Sequence, residues 1–189
     1  MLILYKLKYS HKCDIIILHL IYGRKGGIVM KQAVFDFLAA QGISYEVTEH
    51  EPVYTMEDME RLGLNKLGTI CKNLFVRDAK GKRHFLITAD DSTTVHLKEL
   101  GEKLGAGKLS FASPERLQKY LGVTAGCVSP FGVLNDAQHE VTVVFDEKIA
   151  QLDRIGVHPN QNDATVWISA PALINAIKGL GNQVIILAL

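Results

Sequence analysis

The stretch ICKNLFVRDAKGKRHFLIT, residues 70–88, decides the fold of this chain. Residues 70–76 and 84–88 are apolar runs of strand-like composition, and the polar segment between them, residues 78–82, contains Gly81. Two such runs joined by a short glycine-containing turn predict a β-hairpin with Gly81 in the turn.

Other elements are predicted on both sides of this hairpin. Apolar residues at helical spacing and a cap residue predict helices at 31–41, from Thr55 through Leu62, and at 95–104, 113–121 and 170–178. Further strands are predicted at 43–47, 141–145, 165–168 and 184–187. Because the strands and helices lack a regular β-α-β alternation, the pattern predicts an α+β domain around a mixed β-sheet.

Length and composition bound the class of protein. A chain of 189 residues with 48% hydrophobic and 22% charged residues has the composition of one soluble globular domain, which excludes a disordered or collagen-like chain. The formal charge of +1 gives no global attraction to polyanions, so any contact with nucleic acid must be local. The three cysteines are scattered and form no CxxC motif, which favours a reducing, cytoplasmic setting.

Residues 1–29 differ from the rest of the chain. They hold five basic residues and one acidic residue, and their apolar run at 15–18 is too short for a secretory signal or a membrane-spanning helix. Lys25-Gly26-Gly27 can be encoded by a purine-rich ribosome-binding sequence ahead of Met30. We therefore interpret residues 1–29 as an atypical leader, an untranslated upstream extension, with an extra strand and helix as the alternative; residues 30–189 are the predicted domain.

The loop GCVSPFG, residues 126–132, is a candidate site. Its glycines and proline fix an unusual backbone path, and main-chain N–H groups in such a loop can bind an anion or a polarised carbonyl. A tight structural turn would have the same composition. Cys127 would need a neighbouring base or cation to act as a nucleophile, and the sequence identifies none, so a packing role is favoured.

Two isolated polar residues and a basic segment are further candidates. Lys72 interrupts an apolar strand, where it is either an edge-strand lysine or a cleft lysine that holds a phosphate or a carbonyl. Pro159 restricts His158 to extended geometry, although a loop histidine is more often structural or exposed. Residues 66–83 carry six basic residues and one acidic residue, which fits a solvated hairpin tip or a docking patch for RNA phosphates.

In their order and spacing, five segments resemble the YbaK/ProX family of aminoacyl-tRNA deacylases: CKNLFV (71–76), TADD (88–91), GCVSPFG (126–132), GVHP (156–159) and NDATVWIS (162–169). The resemblance covers about residues 30–189, and the leader has no counterpart in it. It implies a mixed, partly barrel-like sheet with surrounding helices, similar to the editing domain of prolyl-tRNA synthetase.

The resemblance also implies an activity, which is hydrolysis in trans of the ester that links a wrong amino acid to tRNA(Pro), with alanyl-tRNA(Pro) favoured. The family's lysine falls on Lys72, and its alanine-selective histidine falls on His158. Its substrate loop corresponds to Gly126, Cys127, Val128, Ser129 and Pro130, and the adjacent substrate-binding positions are Asn73, Phe131 and Pro159. The expected partner is mischarged tRNA(Pro), a contact with prolyl-tRNA synthetase is left open, and neither a membrane, a cofactor nor a metal ion is expected.

An aminoacyl ester is already activated, so geometry and stabilisation of developing negative charge are sufficient for its hydrolysis. We expect the N–H groups of residues 126–129 to face the ester and Lys72 to hold the terminal adenosine or its phosphate. Water would attack, with the ribose hydroxyl of the substrate as proton relay, and a small pocket lined by His158 would exclude proline. The alternatives are a deacylase for another aminoacyl-tRNA such as cysteinyl-tRNA(Pro), a noncatalytic aminoacyl-tRNA binding module, and a thiol enzyme that uses Cys127.

Overall fold

The protein is described here by a computed structural model that covers residues 4–5 and 29–189. The predicted leader lies almost entirely outside the described residues. Its interpretation as an untranslated extension, and with it the start at Met30, therefore stays a prediction.

The described residues form nine strands and five α-helices. The strands are β1 (Leu4–Tyr5), β2 (Glu46–Glu49), β3 (Thr69–Asp78), β4 (His84–Asp90), β5 (Leu109–Phe111), β6 (Val141–Asp146), β7 (Ile155–Val157), β8 (Ala164–Ile168) and β9 (Val184–Leu187). The helices are α1 (Val29–Ala40), α2 (Met56–Arg61), α3 (Leu97–Lys103), α4 (Pro114–Arg116) and α5 (Ala170–Leu180). A π-helical turn (Leu117–Leu121) continues α4, and 3₁₀ turns cover Leu64–Lys66 and Pro130–Asn135.

The strands build one mixed sheet in the order β1-β2-β8-β7-β3-β4-β6-β9, with β5 paired to β3. The β3–β4 hairpin is antiparallel, whereas β3–β7, β4–β6 and β6–β9 are parallel. The predicted α+β fold with a mixed sheet is therefore confirmed. Among the described strands this path has two ends, so the sheet does not close into a barrel.

Local chemistry explains the central turn and the short helix. Gly81 adopts φ +65°, and the Asp78 carboxylate accepts the N–H groups of Lys82 and Arg83, which closes the predicted hairpin turn. Thr55 caps α2, as predicted, and it also forms a reciprocal capping box with Asp58.

Some boundaries and elements differ from the predictions. The strand predicted at 43–47 begins at Glu46, because the N–H groups of Gly42 and Ile43 still bond to carbonyls of α1. Strands β5 and β7 and the two 3₁₀ turns were not predicted, since a three-residue strand is too short to show a period.

The sheet is covered on both faces. One face packs against α1, α5 and the segment 117–133 in the main apolar core. The other face has two smaller cores, one between the hairpin and α3, and one under α2 around Ile70 and Trp167. Along β3, Ile70 belongs to the core under α2 and Leu74 packs on the core under α3. Because alternate residues of a strand share a face, Lys72 lies between the two cores.

Candidate active site

Lys72 is the charged residue in the middle of β3. Its side chain is half-buried, and Nζ donates a hydrogen bond of 2.6 Å to the backbone carbonyl of Asp91, just beyond β4. An ammonium group has three N–H donors, so this bond orients the group and leaves two donors for a ligand.

Asn73 points the other way. Its side chain lies on the face that carries Cys71 and Phe75, and its Oδ1 accepts a hydrogen bond of 2.9 Å from the Thr88 hydroxyl on β4. The two neighbouring residues expected at the site therefore present their side chains to opposite faces of the sheet.

The main chain of Asn73 has a different position. On the edge away from β4, β3 pairs with β7 only at Thr69 and Ile70, and with β5 from Val76 onward. The carbonyl of Phe75 points to this edge, because it accepts the N–H of Ala112. By the alternation of an extended strand, the peptide groups of Asn73 point to the same edge, where the described part of the chain provides no strand partner.

The 126–131 loop begins with a left-handed residue, Gly126, at φ +84°. The N–H of Cys127 donates to the carbonyl of Thr124 at 3.1 Å, and this bond closes the turn. Ser129 then caps the 3₁₀ turn that begins at Pro130. The N–H groups of Gly126, which is exposed, and Val128, which is half-buried, make no hydrogen bond within residues 29–189, so two donors in one short loop are available to a ligand.

Two side-chain hydrogen bonds join this loop to residues 158–160. The Ser129 hydroxyl donates to the carbonyl of His158, and Asn160 Nδ2 donates to the carbonyl of Phe131 at 3.1 Å. Ser129, Pro130, Phe131, Pro159 and Asn160 are all buried. The two predicted site loops therefore form one packed unit.

His158 is fixed in one tautomer in its neutral form. Its Nδ1 lies 3.1 Å from the carbonyl of Ala164, which can only accept, so Nδ1 carries the proton and Nε2 keeps a lone pair. Burial lowers the pKa of His158, and the neighbouring His50 lowers that pKa further, although the hydrogen bond to Ala164 acts in the opposite direction. The site therefore favours a neutral imidazole with a free acceptor.

His50 is a residue that sequence reasoning missed. Its ring centroid lies 6.4 Å from that of His158, and its nitrogens contact the Glu51 carbonyl at 2.8 Å and the Thr165 hydroxyl at 3.0 Å. Its backbone N–H donates to the carbonyl of Asp163 at 3.0 Å. The available signal was the spacing His50-Glu51-Pro52, a histidine shortly before a proline, as at His158-Pro159.

The register of the sheet relates Lys72 to His158. In the parallel pair β3–β7, Ile70 lies opposite Gly156, and Lys72 and His158 each follow two residues later. Gly156 is tightly packed there, since a Cβ atom would lie 2.7 Å from the Trp167 ring. Because the two strands run in the same direction, Lys72 and His158 both lie beyond the same end of the paired segment, and both lie on the face that carries Ile70 and Gly156.

Cys127 lacks the neighbour that a thiol nucleophile needs. Its sulfur contacts the Thr124 hydroxyl at 3.8 Å, and its half-buried side chain packs on the main core together with Val128. Neither contact supplies a base. Burial raises the pKa of the other described cysteine, Cys71, with Asp90 and Asp146 adding to that effect, so Cys71 is an inert thiol.

A cavity of about 650 Å³ lies beside this region, under α2. Ile70 and Asp91 line it, but none of the predicted site residues does; its other lining residues are Glu57, Glu60, Asn65, Lys66, Leu67, Gly68, Thr69, Asp90, Ser92 and Arg154. It adjoins Lys72 through Ile70, its neighbour on the same face, and through Asp91, its hydrogen-bond partner.

Within the described ranges, no group of three or more histidine, cysteine, aspartate or glutamate side chains is placed to hold a metal ion. Of the helices described above, none combines the length and the apolar character that crossing a membrane requires.

Comparison with known proteins places this geometry in a family. Residues 50–176 match the model of the aminoacyl-tRNA editing domain. The chain is 51% identical over 152 residues to the prolyl-tRNA editing protein ProX of Acetoanaerobium sticklandii, covering 80% of this chain and 93% of that protein. It is 32% identical over 165 residues to prolyl-tRNA synthetase associated domain-containing protein 1 of Bos taurus, covering 85% and 96%.

A solved structure shares the fold. The crystal structure of a putative trans-editing enzyme for prolyl tRNA synthetase matches with a TM-score of 0.63 at 21% identity, over 84% of this chain and 94% of that chain. The family match spans the 126–131 loop, Lys72, His50 and His158 alike. The chain therefore belongs to the aminoacyl-tRNA editing domain family, as the YbaK/ProX resemblance of its motifs implied.

Proposed function

We propose that this protein deacylates mischarged tRNA(Pro) in trans and that alanyl-tRNA(Pro) is its main substrate. The name of the ProX relative, at 51% identity over nearly its whole length, supports editing of prolyl-tRNA. The proposal depends on one observation. The Ser129 hydroxyl donates a hydrogen bond to the His158 carbonyl, and this bond holds the 126–131 loop, with its unpaired N–H groups, next to His158.

The loop supplies the electrostatic part of the mechanism. Attack on the ester carbonyl creates negative charge on its oxygen, and the N–H groups of Gly126 and Val128 are donors for that oxygen. The Cys127 N–H is left out, because it is committed to the turn. Loss of one such donor in other enzymes reduces the rate about 10²- to 10³-fold, so fixed donors alone supply a large part of the acceleration.

The remaining groups hold the two ends of the substrate. The α-ammonium group of the amino acid needs acceptors, and both the Nε2 lone pair of His158 and the main-chain carbonyl of Asn73 meet that need. Lys72 keeps two N–H donors beyond its bond to Asp91, and these hold the terminal adenosine or its phosphate. Water attacks the carbonyl, and the neighbouring ribose hydroxyl of the substrate relays the proton.

Size explains the selection of alanine. A synthetase pocket built for proline rejects a smaller side chain by only about 1–3 kcal/mol per methylene, so a second and smaller pocket is needed to remove alanine. Here His158 forms the wall of that pocket, and the hydrogen bond from Ser129 to its carbonyl holds it in place. That wall admits a methyl group and excludes a pyrrolidine ring.

The test is a deacylation panel with alanyl-, cysteinyl-, seryl- and prolyl-tRNA(Pro). We expect fast release of alanine and little release of proline. Preferred release of cysteine would move the assignment to the alternative substrate, and equal release of proline would contradict the size filter. A gel shift without release of any amino acid would identify a noncatalytic binding module.

We also propose that the protein acts on free charged tRNA in the cytoplasm, where charging takes place. The same panel with and without prolyl-tRNA synthetase tests this point. An absolute requirement for the synthetase would contradict action on the free substrate.

A further inference from the structure

Tyr54 is an exposed aromatic residue at the edge of the candidate site. It is 75% exposed, more than any other large hydrophobic side chain in the described ranges. A Cβ atom built on Gly126 would lie 3.7 Å from Tyr54 Cδ1, so the ring stands directly beside the loop that carries the free N–H donors. Neither the motifs nor the mechanism above uses this residue.

The backbone under the ring is fixed. The N–H of Tyr54 donates to Asp58 Oδ2 at 3.0 Å, and the same oxygen accepts the N–H of Thr55 at 3.2 Å. On the other side, Val53 and Asn162 exchange two hydrogen bonds of 2.9 Å. An aromatic ring that is displayed on a rigid segment loses little entropy when it binds a ligand.

The charges around the ring select the kind of ligand. Three acidic side chains, Glu51, Glu57 and Asp58, are close to Tyr54 in the sequence. Arg61 pairs with Glu51 and Asp58, so the segment keeps a net negative charge, which disfavours a phosphate group and tolerates a neutral aromatic base. Unpaired nucleotides are commonly recognised by stacking of the base on an aromatic side chain. In an aminoacyl-tRNA, the base nearest the ester is that of the terminal nucleotide.

We propose that Tyr54 is a stacking platform for the terminal base of the tRNA acceptor end, placed so that the attached ester reaches the 126–131 loop. This inference rests on the proposed function. In this arrangement Tyr54 stacks on the terminal base, and Lys72 contacts the phosphate or ribose of the same nucleotide. It is a substrate-positioning contact, and it touches no reacting atom.

The experiment uses an acceptor-stem RNA whose terminal adenine is replaced by 2-aminopurine, a base that loses fluorescence when it stacks. Wild-type protein and Tyr54→Phe should quench the fluorescence, and Tyr54→Ala should not. Phe111→Ala is the matched control, because Phe111 is an exposed aromatic residue (62%) on β5. Quenching by Tyr54→Ala at the wild-type level, or no quenching by the wild type, would overturn the proposal.

Two further measurements separate the proposal from folding defects and from the function itself. An RNA with an abasic terminal nucleotide should bind wild-type protein about 10-fold more weakly than the intact RNA does, since one stacked base is worth about 1–3 kcal/mol. Tyr54→Ala should bind the abasic RNA and the intact RNA with equal affinity. Equal binding of both RNAs by the wild type would overturn the proposal without any variant. Because these RNAs carry no amino acid, the result is independent of whether alanyl-tRNA(Pro) is hydrolysed.

Discussion

The Ser129 hydroxyl donates a hydrogen bond to the backbone carbonyl of His158, across 29 positions of sequence. Ser129 is fully buried, and the same oxygen accepts the N–H of Phe131 at 3.3 Å. One hydroxyl thus fixes both the path of the 126–131 loop and the position of His158, so the geometry of the candidate site depends on Ser129.

Ser129→Ala should therefore reduce activity more than stability. Loss of a buried hydrogen bond costs about 1–3 kcal/mol, which a domain of this size tolerates. Deacylation should fall at least 10-fold, because the loop donors and His158 lose their common anchor. Ser44→Ala, at an exposed serine, is the control. Urea unfolding and kcat/KM measured on the same preparations check the prediction, and unchanged kcat/KM in a folded Ser129→Ala protein would contradict it.

Lys72→Ala should reduce kcat/KM for alanyl-tRNA(Pro) by at least 100-fold, because a charge-assisted contact to the substrate and the orientation it provides are both lost. Lys103→Ala is a close control, since Lys103 Nζ also donates to a backbone carbonyl at 2.6 Å, that of Ala188, but at an exposed position on α3. Single-turnover deacylation distinguishes the two variants. Equal rates in both would show that Lys72 acts only as a structural anchor.

The two loops show what sequence could and could not predict. The hairpin, the cap at Thr55 and the loops around Ser129 and His158 follow from local turn chemistry and apolar periodicity, which the sequence displays directly. His50 could not be predicted as a site residue, because its contact with His158 depends on the pairing of β2 with β8. The sequence of a four-residue strand does not indicate which strand it pairs with. The opposite orientations of Lys72 and Asn73 were predictable in principle, since neighbours on a strand face opposite sides.

The pH dependence of deacylation should report on His158. The proposed role needs the neutral ring, and burial together with His50 lowers the pKa of His158. Activity should therefore fall as pH decreases through a value below the ordinary histidine pKa of about 6.5, and it should be level from that value up to about pH 7.7, where the α-ammonium group of the substrate begins to lose its proton. His50→Gln removes one of the lowering causes, so the acid limb should move to higher pH. The profile of kcat/KM, corrected for spontaneous hydrolysis, checks the direction; a shift to lower pH would contradict it.

The hairpin tip should contribute a salt-dependent contact with tRNA. The Arg77 and Arg83 side chains donate to backbone carbonyls, whereas Lys80 and Lys82 are exposed. If the two lysines contact phosphates, Lys80→Glu/Lys82→Glu should raise KM and reduce the slope of log K against log salt by about 2. Lys148→Glu, just beyond the other end of β6, is the control. An unchanged slope would identify the tip as a solvated turn.

His84 should make the stability of the fold depend on pH. The residue is 2% exposed. Its ring stacks on Phe75 at a centroid distance of 5.7 Å and lies tilted against Tyr120 at 4.0 Å, and its Nε2 accepts a hydrogen bond of 2.7 Å from Arg116. Burial and the charge of Arg116 lower the pKa of His84 to about 4. The unfolded chain, with a histidine pKa of about 6.5, binds the proton first as pH falls, so stability is full above about 6.5 and declines toward 4 by at most about 3 kcal/mol.

A comparison of variants isolates this contribution. Urea unfolding at about pH 7.5 and about pH 5 should show a loss of stability in the wild type that is smaller in His84→Gln, because glutamine binds no proton in this range. Arg116→Met should also reduce the loss, since it removes the positive charge that opposes protonation of His84. His96→Gln, at an exposed histidine, should leave the loss unchanged. If His84→Gln and the wild type lose the same stability, the acid sensitivity of the fold arises from groups other than the His84–Arg116 pair.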